Sequence, residues 1–232
     1  LQFAELAGAY LRMVRRENPF SVSLEDIEAA IDSRTKIVYL ANPNNPTGVL
    51  FQPSDIFRMA ARHPYTLFLI DEAYYEFGKR SCTPIICSSP NIVVTRSFSK
   101  CFGLAGLRIG YVAAPEEIIN NLRYVHNPKS INTMAQAAAI AALDDLHYYH
   151  NYVAEVKQAA RVTKRFCDTH GISCRLTHAN FVLLELRKPS LIASRLRDAG
   201  VHVRDRSSQL PGMIRLTLGT SEQMREVLSR LA

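Results

Sequence analysis

Short apolar runs alternate with stretches in which apolar residues recur at helical spacing. Four β-rich runs occur in the first half of the chain: KIVYLA at 36–41, TLFLI at 66–70, NIVVTR at 91–96 and RIGYVA at 108–113. Ser23 and Asp26 form a capping pattern before one helical stretch, and Pro53 suits the first turn of the next. This alternation predicts an α/β domain with a mostly parallel sheet flanked by helices.

The second half of the chain has a different pattern. From Thr133 to about Phe166 it is helical, rich in Ala and free of Gly and Pro, which predicts one long helix that bridges two lobes. A helix from Leu191 to Ala199 and a terminal helix follow, among strand-like runs at 173–176, 180–186, 201–204 and 213–218. We therefore expect a large domain at residues 1–130, and the bridging helix with a smaller α+β domain at residues 131–232.

The composition excludes several classes of protein for this chain and several kinds of binding partner. The 232 residues are 47% hydrophobic and 21% charged, which is typical of a globular protein rather than a disordered one. No run approaches the roughly 18 apolar residues of a membrane span. The net charge is +7, but Lys and Arg are spread along the chain without an arginine-rich run. We expect small-molecule substrates, with neither nucleic acid nor a membrane as partner.

Cysteine and histidine usage argues against disulfides and metal sites. The five cysteines form no CxxC pair, and their spacing fits neither a disulfide framework nor a zinc site. The seven histidines also lack metal-ligand spacing, and we expect His147 and His150 to lie on a helix surface. The first residues lack the pattern of a secretory signal. These features predict a cytoplasmic protein with reduced thiols and no metal.

Three polar segments follow predicted strands, where open parallel sheets bind ligands. They are NPNNPTG at 42–48, DEAYYEF at 71–77 and SFSKCFGLAGLRIGY at 97–111. Each has an ordinary structural interpretation beside a functional one. The first suits a plain turn, Asp71 suits a helix N-cap or a salt bridge, and Lys100 suits a loop lysine that faces solvent.

The third segment also contains the groups that an anion and an electrophile would need. Its serine hydroxyls, loop amides and Arg108 can together hold a phosphate. A partly desolvated lysine close to another cation, as Lys100 would be, is a competent amine nucleophile. The segment therefore combines a candidate phosphate site with a candidate nucleophile.

Taken together and in this order, these segments and the late IRLTLGT at 214–220 resemble the signature of fold-type I aminotransferases that use pyridoxal 5′-phosphate (PLP). The resemblance is closest to the histidinol-phosphate aminotransferase group of the class I/II aminotransferases, and it covers nearly the whole chain. It implies PLP as cofactor and a fold-type I large domain, followed by the smaller C-terminal domain.

The resemblance also implies roles for individual residues around the cofactor ring. Lys100 is expected to form the Schiff base with PLP and later to move the proton between the substrate carbon and the cofactor. Asp71 is expected to pair with the pyridine nitrogen and keep it protonated. Asn45 and Tyr74 match the pair that hydrogen-bonds the ring hydroxyl oxygen. We further expect a cis peptide bond between Asn45 and Pro46.

Anion binding is implied at two further places. The cofactor phosphate is expected on Ser97, Ser99 and Arg108. Arg215 matches the arginine that clamps the substrate carboxylate, or the substrate phosphate in the histidinol-phosphate group. Arg204 is a candidate for the same anion, although an ordinary surface arginine is an equal interpretation. Asn180 matches a position near the substrate entrance, and a strand-start cap is its structural alternative.

The resemblance begins inside the family's large domain, so an N-terminal part of that domain is absent from this sequence. That part would supply backbone amides of the phosphate site, the aromatic residue that stacks on the ring, and an arm to a second subunit. We expect a truncated chain rather than a natural remnant, with an exposed sheet edge or apolar face.

The leading functional hypothesis is ping-pong amino transfer in amino-acid biosynthesis. The expected substrates are an amino acid or an amino-alcohol phosphate such as histidinol phosphate, and a 2-oxo acid such as 2-oxoglutarate. One alternative is a PLP-dependent decarboxylase of the threonine-phosphate type. The other is an inactive truncated module of the same fold. Fold-type I enzymes usually share active sites across a dimer, so we expect a homodimer for the full-length protein.

Overall fold

A computed structural model describes residues 2–127 and 129–231. Its helices are α1 Gln2–Leu6, α2 Leu24–Glu28, α3 Pro53–Arg62, α4 Tyr75–Gly78, α5 Glu116–Val125, α6 Thr133–Asp144, α7 Leu146–Thr169, α8 Pro189–Asp198 and α9 Ser221–Ser229. Its strands are β1 Ile37–Ala41, β2 Leu67–Asp71, β3 Ile92–Ser97, β4 Gly110–Ala113, β5 Ser173–Leu176, β6 Phe181–Glu185, β7 Arg204–Asp205 and β8 Met213–Thr217. The predicted alternation of strands and helices is confirmed.

The first sheet has the order β1-β2-β3-β4. Strands β1, β2 and β3 are parallel, and β4 is antiparallel to β3, so the α/β fold with a mostly parallel sheet is confirmed. One face of this sheet packs against α2 and α3 through a buried apolar cluster that includes Phe68, Ile70 and Ile56. The capping box of Ser23 and Asp26 begins α2, and Pro53 begins α3, as the sequence predicts.

The opposite face of this sheet is less covered. Ile37 and Tyr39 of β1 point away from the buried cluster and are each 58% exposed. Within the described residues β1 is also an edge strand, because β2 is its one neighbour in the sheet. An exposed edge and an exposed apolar face agree with the expectation from the sequence.

The second sheet is antiparallel, with the order β5-β6-β8-β7. Its apolar side packs on α7 and α9 in a cluster that contains Val156, Phe181 and Met224. The same cluster includes Tyr74 and Cys101 from the first half of the chain. The two sheets therefore meet through α7, while the proposed domain boundary after residue 130 stays a prediction.

One long bridging helix from Thr133 is the wrong interpretation of that segment. The structure has two helices, because Asp145 leaves the helical conformation with φ −103° and ψ 67°. Its Oδ1 accepts a hydrogen bond from Tyr148 N at 3.0 Å and so caps the start of α7. An aspartate can end one helix and begin the next without any Gly or Pro in the sequence.

Strand β7 is also shorter and later than the run predicted at 201–204. It pairs with β8 at two positions, Arg204 with Arg215 and Asp205 with Ile214. Val203 instead packs beside the apolar cluster around α7 and α9. Burial of the Val203 side chain, rather than strand pairing, therefore determines the backbone path before Arg204.

Two further properties of the described chain concern membranes and thiols. None of its helices has the length and apolar character that crossing a bilayer requires. All five cysteines are free thiols, with Cys82, Cys101 and Cys167 buried. His147 and His150 lie exposed on α7, in agreement with the expectation for them.

Candidate active site

The three polar segments meet at one edge of the first sheet. In the parallel register Ala41 lies beside Asp71, and Asp71 lies beside Thr95. The loop after β1, the residues after β2 and the end of β3 therefore share the carboxyl edge of the sheet. This is where an open parallel sheet forms a ligand crevice.

The loop after β1 is held at its start by Asn42, which is fully buried. Asn42 Oδ1 accepts from Phe51 N at 2.7 Å, and its Nδ2 donates to Phe51 O at 3.2 Å. The Asn45–Pro46 bond is cis, as predicted, and the Asn42–Pro43 bond is cis as well. These contacts close the loop and present Asn45 to the edge of the sheet.

Asn45 joins the two halves of the candidate site. Its Nδ2 lies 3.5 Å from the hydroxyl of Tyr74, and its Oδ1 accepts a hydrogen bond from Arg215 NH1 at 2.8 Å. The structure thus brings three of the predicted site residues into contact, one each from the first loop, the α4 region and β8.

Asp71 is the last residue of β2 and is half-buried. Its Oδ1 accepts from Ala73 N at 3.0 Å, and its Oδ2 accepts from the Tyr39 hydroxyl at 2.7 Å. Partial desolvation of its hydroxyl raises the pKa of Tyr39, and the hydrogen bond to the Asp71 carboxylate raises it further. Sequence reasoning missed Tyr39. Its position in β1 could have identified it. Tyr39 and Ala41 lie on the same face of β1, and Ala41 pairs with Asp71, so the side chain of Tyr39 lies on the same side of the sheet as that of Asp71.

Tyr74 is buried, and its ring packs edge-on against Phe181 with 5.6 Å between ring centroids. Burial raises the pKa of its hydroxyl and Asp71 acts in the same direction, while Arg215 and Arg206 oppose them. Lys100 is half-buried, and its Nζ lies 5.7 Å from the centroid of the Tyr74 ring. The amine and the phenol therefore line the same space.

The predicted phosphate residues form a second group directly after β3. Ser99 N donates to Ser97 Oγ at 3.0 Å, and Arg108 NH1 lies 3.4 Å from Ser99 Oγ. Arg108 has φ +53°, a conformation that residues other than glycine seldom adopt and that costs backbone strain. The turn carries Arg108 back to the serines, and Lys100 connects this group to Tyr74.

Arg215 lies in the middle of β8, opposite Arg204 of β7. Its guanidinium carbon is 5.2 Å from the centroid of the Phe181 ring, and its buried Nε has no hydrogen-bond partner among the residues that the structure describes. Burial lowers the pKa of Arg215, and the positive charges of Arg206 and Arg204 lower it further. This side of the site therefore presents an excess of positive charge.

Arg206 is a residue that sequence reasoning missed. Its N donates to Met213 O at 2.9 Å, which extends the β7 pairing and places Arg204, Arg206 and Arg215 on one face. The neighbouring Asp205 is bound to Ser190 and Ser207 instead. No ion pair within 4.0 Å involves these three arginines in the described part of the chain. The sequence could have identified Arg206, because Arg204 and Arg206 are two positions apart and so lie on the same face of a strand.

Asn180 is the predicted site residue with the weakest connection to the others. It is buried, and its carbonyl accepts a hydrogen bond from Leu218 N at 2.8 Å at the end of the β6–β8 pair. Its hydrogen bonds within the described residues do not include another predicted site residue. Its role at a substrate entrance stays a prediction.

Comparison with known proteins identifies related sequences and structures. The sequence model of the family described as aminotransferase class I and II matches residues 2–231. A dihydroxyacetone phosphate transaminase from Campylobacter jejuni is 36% identical over 220 residues, which are 93% of this chain and 60% of that protein. A histidinol-phosphate aminotransferase from Bacillus subtilis is 34% identical over 236 aligned residues, covering 99% of this chain and 66% of that protein.

The fold is also similar to solved structures. The crystal structure of histidinol-phosphate aminotransferase from Sinorhizobium meliloti in complex with pyridoxal-5′-phosphate matches with a TM-score of 0.88 and 26% identity. The match covers 99% of this chain and 65% of that one. The present chain thus spans about 60% to 66% of the length of the two relatives named above.

Proposed function

This chain belongs to the class I and II aminotransferase family, and from that premise we propose that the whole protein is a PLP-dependent aminotransferase. The observation that carries the proposal is the contact of Asn45 with both Tyr74 and Arg215, beside the amine of Lys100. It joins groups suited to the cofactor and a group suited to the substrate in one space.

The residues present fit PLP chemically. An aldehyde needs a primary amine, and the side-chain amine of Lys100 makes no hydrogen bond or ion pair among the residues that the structure describes. A protonated pyridine nitrogen needs a carboxylate as its hydrogen-bond acceptor, and Asp71 offers one at the end of β2. A phosphate needs hydroxyl and guanidinium donors, which Ser97, Ser99 and Arg108 offer in one turn. We propose these residues as the cofactor site.

When bound, PLP supplies an aldehyde for covalent attachment and a ring that withdraws electrons from the substrate carbon. In the proposed mechanism, Lys100 Nζ takes the proton from that carbon and delivers it to the cofactor, and with the second substrate it would move a proton in the opposite direction. The Asp71 carboxylate holds the proton on the ring nitrogen, and Tyr39 steadies that carboxylate. Tyr74 and Asn45 donate hydrogen bonds to the ring oxygen.

The arginines of the second sheet are proposed to bind the substrate anion. Arg215 has a buried Nε without a partner, and Arg204 lies opposite it across the β7–β8 pair. Charge-assisted bonds from a guanidinium suit a carboxylate or a phosphate. Asn180, directly before the adjoining strand β6, is proposed to lie near the entrance of the substrate.

For substrates, we propose histidinol phosphate or a related phosphate-bearing amine, with 2-oxoglutarate as the acceptor of the amino group. The named substrates of both relatives, from C. jejuni and B. subtilis, carry a phosphate. The unpaired positive charge around Arg215 supports a substrate with an anionic head group. We also propose a homodimer in the cytoplasm, and a monomer mass for the whole protein in sedimentation equilibrium would contradict the dimer.

The test uses the whole protein with added PLP. Borohydride reduction followed by mass mapping should locate the adduct on Lys100, and glutamate should form from 2-oxoglutarate when histidinol phosphate is supplied. With threonine phosphate supplied in place of histidinol phosphate, release of carbon dioxide without formation of glutamate would instead identify a decarboxylase. Absence of an adduct on Lys100 would overturn the PLP assignment, and an adduct without either product from any amine donor would favour an inactive module.

A further inference from the structure

A buried polar cluster lies directly behind the candidate active site. It is centred on Arg96 of β3 and Glu72, the residue after β2. Glu72 Oε2 accepts from Arg96 Nε at 3.1 Å and from Arg96 NH2 at 3.0 Å. The Glu72 side chain is fully buried and that of Arg96 is 13% exposed. The pair is therefore enclosed.

Neighbouring residues form further hydrogen bonds with Glu72 and Arg96. Glu72 Oε2 also accepts from Ser81 Oγ at 2.8 Å, and Oε1 accepts from Cys82 N at 2.6 Å. Arg96 NH2 donates to Thr83 Oγ1 at 3.0 Å. The Arg96 guanidinium also lies 3.6 Å from the centroid of the Tyr75 ring. The planar group thus holds a carboxylate at its edge and an aromatic ring at its face.

The position of this cluster in the sequence connects it to the site. Glu72 follows Asp71, and Tyr75 follows Tyr74. Arg96 comes directly before Ser97. Glu72, Tyr75 and Arg96 are therefore each the chain neighbour of a residue proposed to contact a different part of the cofactor.

A buried ion pair is weak support for stability, because desolvation offsets the attraction and apolar side chains can replace it. What the ion pair contributes is geometric specificity. The guanidinium donates its hydrogen bonds to the carboxylate within a narrow range of distances and angles. In this cluster that geometry acts between the ends of β2 and β3 and the first residue of α4.

We propose that Arg96 is a positioning residue, whose contacts with Glu72 and Tyr75 set the spacing of Asp71, Tyr74 and Ser97 for the cofactor. This inference rests on the proposed function. Arg96 does not touch the cofactor in this proposal and acts through its partners alone. Loss of the fork should therefore change how the cofactor is held, even where the fold survives.

The experiment compares Arg96→Lys with the wild-type whole protein. Lysine keeps the charge but lacks the planar fork, so we expect the Kd for PLP to rise about tenfold and kcat to fall. We also expect a change in the pH at which the visible absorption of the bound cofactor shifts. Glu72→Gln keeps the shape of the carboxylate, and it should change the same three quantities in the same direction.

The matched control lies at the other end of β3. Asn91 is buried, and its Nδ2 donates to the carbonyls of Ala60, His63 and Thr66 at 2.9 to 3.0 Å. Asn91→Ser should lower the thermal midpoint of the PLP-free protein while leaving the Kd and the absorption profile unchanged.

Two sets of results would overturn the inference. One is that Arg96→Lys and Asn91→Ser change the Kd for PLP equally at equal loss of stability, which would mean a purely structural role. The other is that both Arg96→Lys and Glu72→Gln fail to fold, because the pair would then act on the fold rather than the site. Failure of the wild-type protein to bind PLP at Lys100 would instead reject the proposed function itself.

Discussion

Asp71 illustrates what a single side chain at the end of a strand can do. Its two hydrogen bonds, from Ala73 N and the Tyr39 hydroxyl, come from uncharged donors and orient the carboxylate. Asp71→Asn keeps the shape but removes the charge that would hold a proton on the ring nitrogen. We expect kcat of the whole protein to fall about 10²-fold or more, with a smaller change in the Kd for PLP.

The comparison for Asp71 is Tyr39→Phe, which keeps the carboxylate and removes one donor. Its kcat should fall by much less than that of Asp71→Asn. Equal losses of kcat in the two variants, measured under saturating substrate and cofactor, would mean that the charge of Asp71 is not what matters.

Glu76 is a buried carboxyl group outside the proposed mechanism. It is 5% exposed, and its Oε2 lacks a hydrogen-bond partner within the described part of the chain. Burial raises the pKa of Glu76 to about 7 from the usual 4.5. As the pH rises between these values, the unfolded chain loses this proton and the folded chain keeps it. The free energy of unfolding should therefore fall with rising pH across this interval, by about 3 kcal/mol from this group.

Replacing Glu76 with Gln removes that titration. The thermal midpoint of Glu76→Gln should fall less than that of the wild type between about pH 5 and pH 8. Glu117→Gln, on the exposed side of α5, should keep the wild-type profile. Parallel profiles for Glu76→Gln and the wild type would show that folding does not raise the pKa of Glu76.

Arg206 tests the charge on the substrate side of the site. It shares a strand face with Arg204 and Arg215 and has no carboxylate partner within the described residues. Arg206→Gln should raise KM for histidinol phosphate about tenfold, because one charge-assisted contact is worth roughly 1.5 to 3 kcal/mol. Arg197→Gln, exposed on α8, removes the same charge and should leave KM unchanged. Similar KM values for both variants would assign the effect to net charge alone.

At the scale of elements, the loop after β1 depends on close contact with the second half of the chain. Gly48 has φ +71°, and a Cβ on it would lie 2.4 Å from Thr177 Cβ. Gly48→Ala therefore combines backbone strain with a clash and should lower the free energy of unfolding by about 2 kcal/mol or more.

Gly171→Ala separates these two causes. Gly171 also has a positive φ, of +65°, but a Cβ there would meet nothing within 4 Å. Urea unfolding should show a clearly larger loss for Gly48→Ala than for Gly171→Ala. Equal losses of the free energy of unfolding in the two variants would mean that the loop around Gly48 can move away from Thr177 with little loss of stability.

The elements also mark the limit of pattern-based prediction. The strands β1 to β3 and the start of α3 follow from apolar runs and from Pro53, because these signals are local. The break at Asp145 was missed because the Ala-rich sequence before it favours helix and neither Gly nor Pro occurs in the helical sequence after it. An aspartate in such a sequence is compatible with either an interior position or a cap, and packing of α7 selects the cap.

At the scale of the whole molecule, the weakly covered face of the first sheet should govern association. Ile37 is 58% exposed on an edge strand of the described sheet. Ile37→Lys adds a charge to that edge and should reduce concentration-dependent association of this chain, with little change in thermal midpoint. Light scattering across a concentration series measures this.

The control for Ile37 is Tyr65→Lys, which places the same charge on a loop residue that is 95% exposed. It should leave association nearly unchanged. If both substitutions reduce association equally, general charge repulsion is the cause and the sheet edge is not.

The α/β class, strands β1 to β3 and the segments that carry Asn45, Asp71, Lys100 and Arg108 are predictable from the sequence alone, because apolar period and turn chemistry are local properties. Only the tertiary structure decided which of these side chains touch. Arg215 and Asn45 are 170 residues apart in sequence, and Tyr39 and Asp71 are 32 apart. Such contacts depend on strand register and on the packing of the two sheets through α7, which no local pattern encodes.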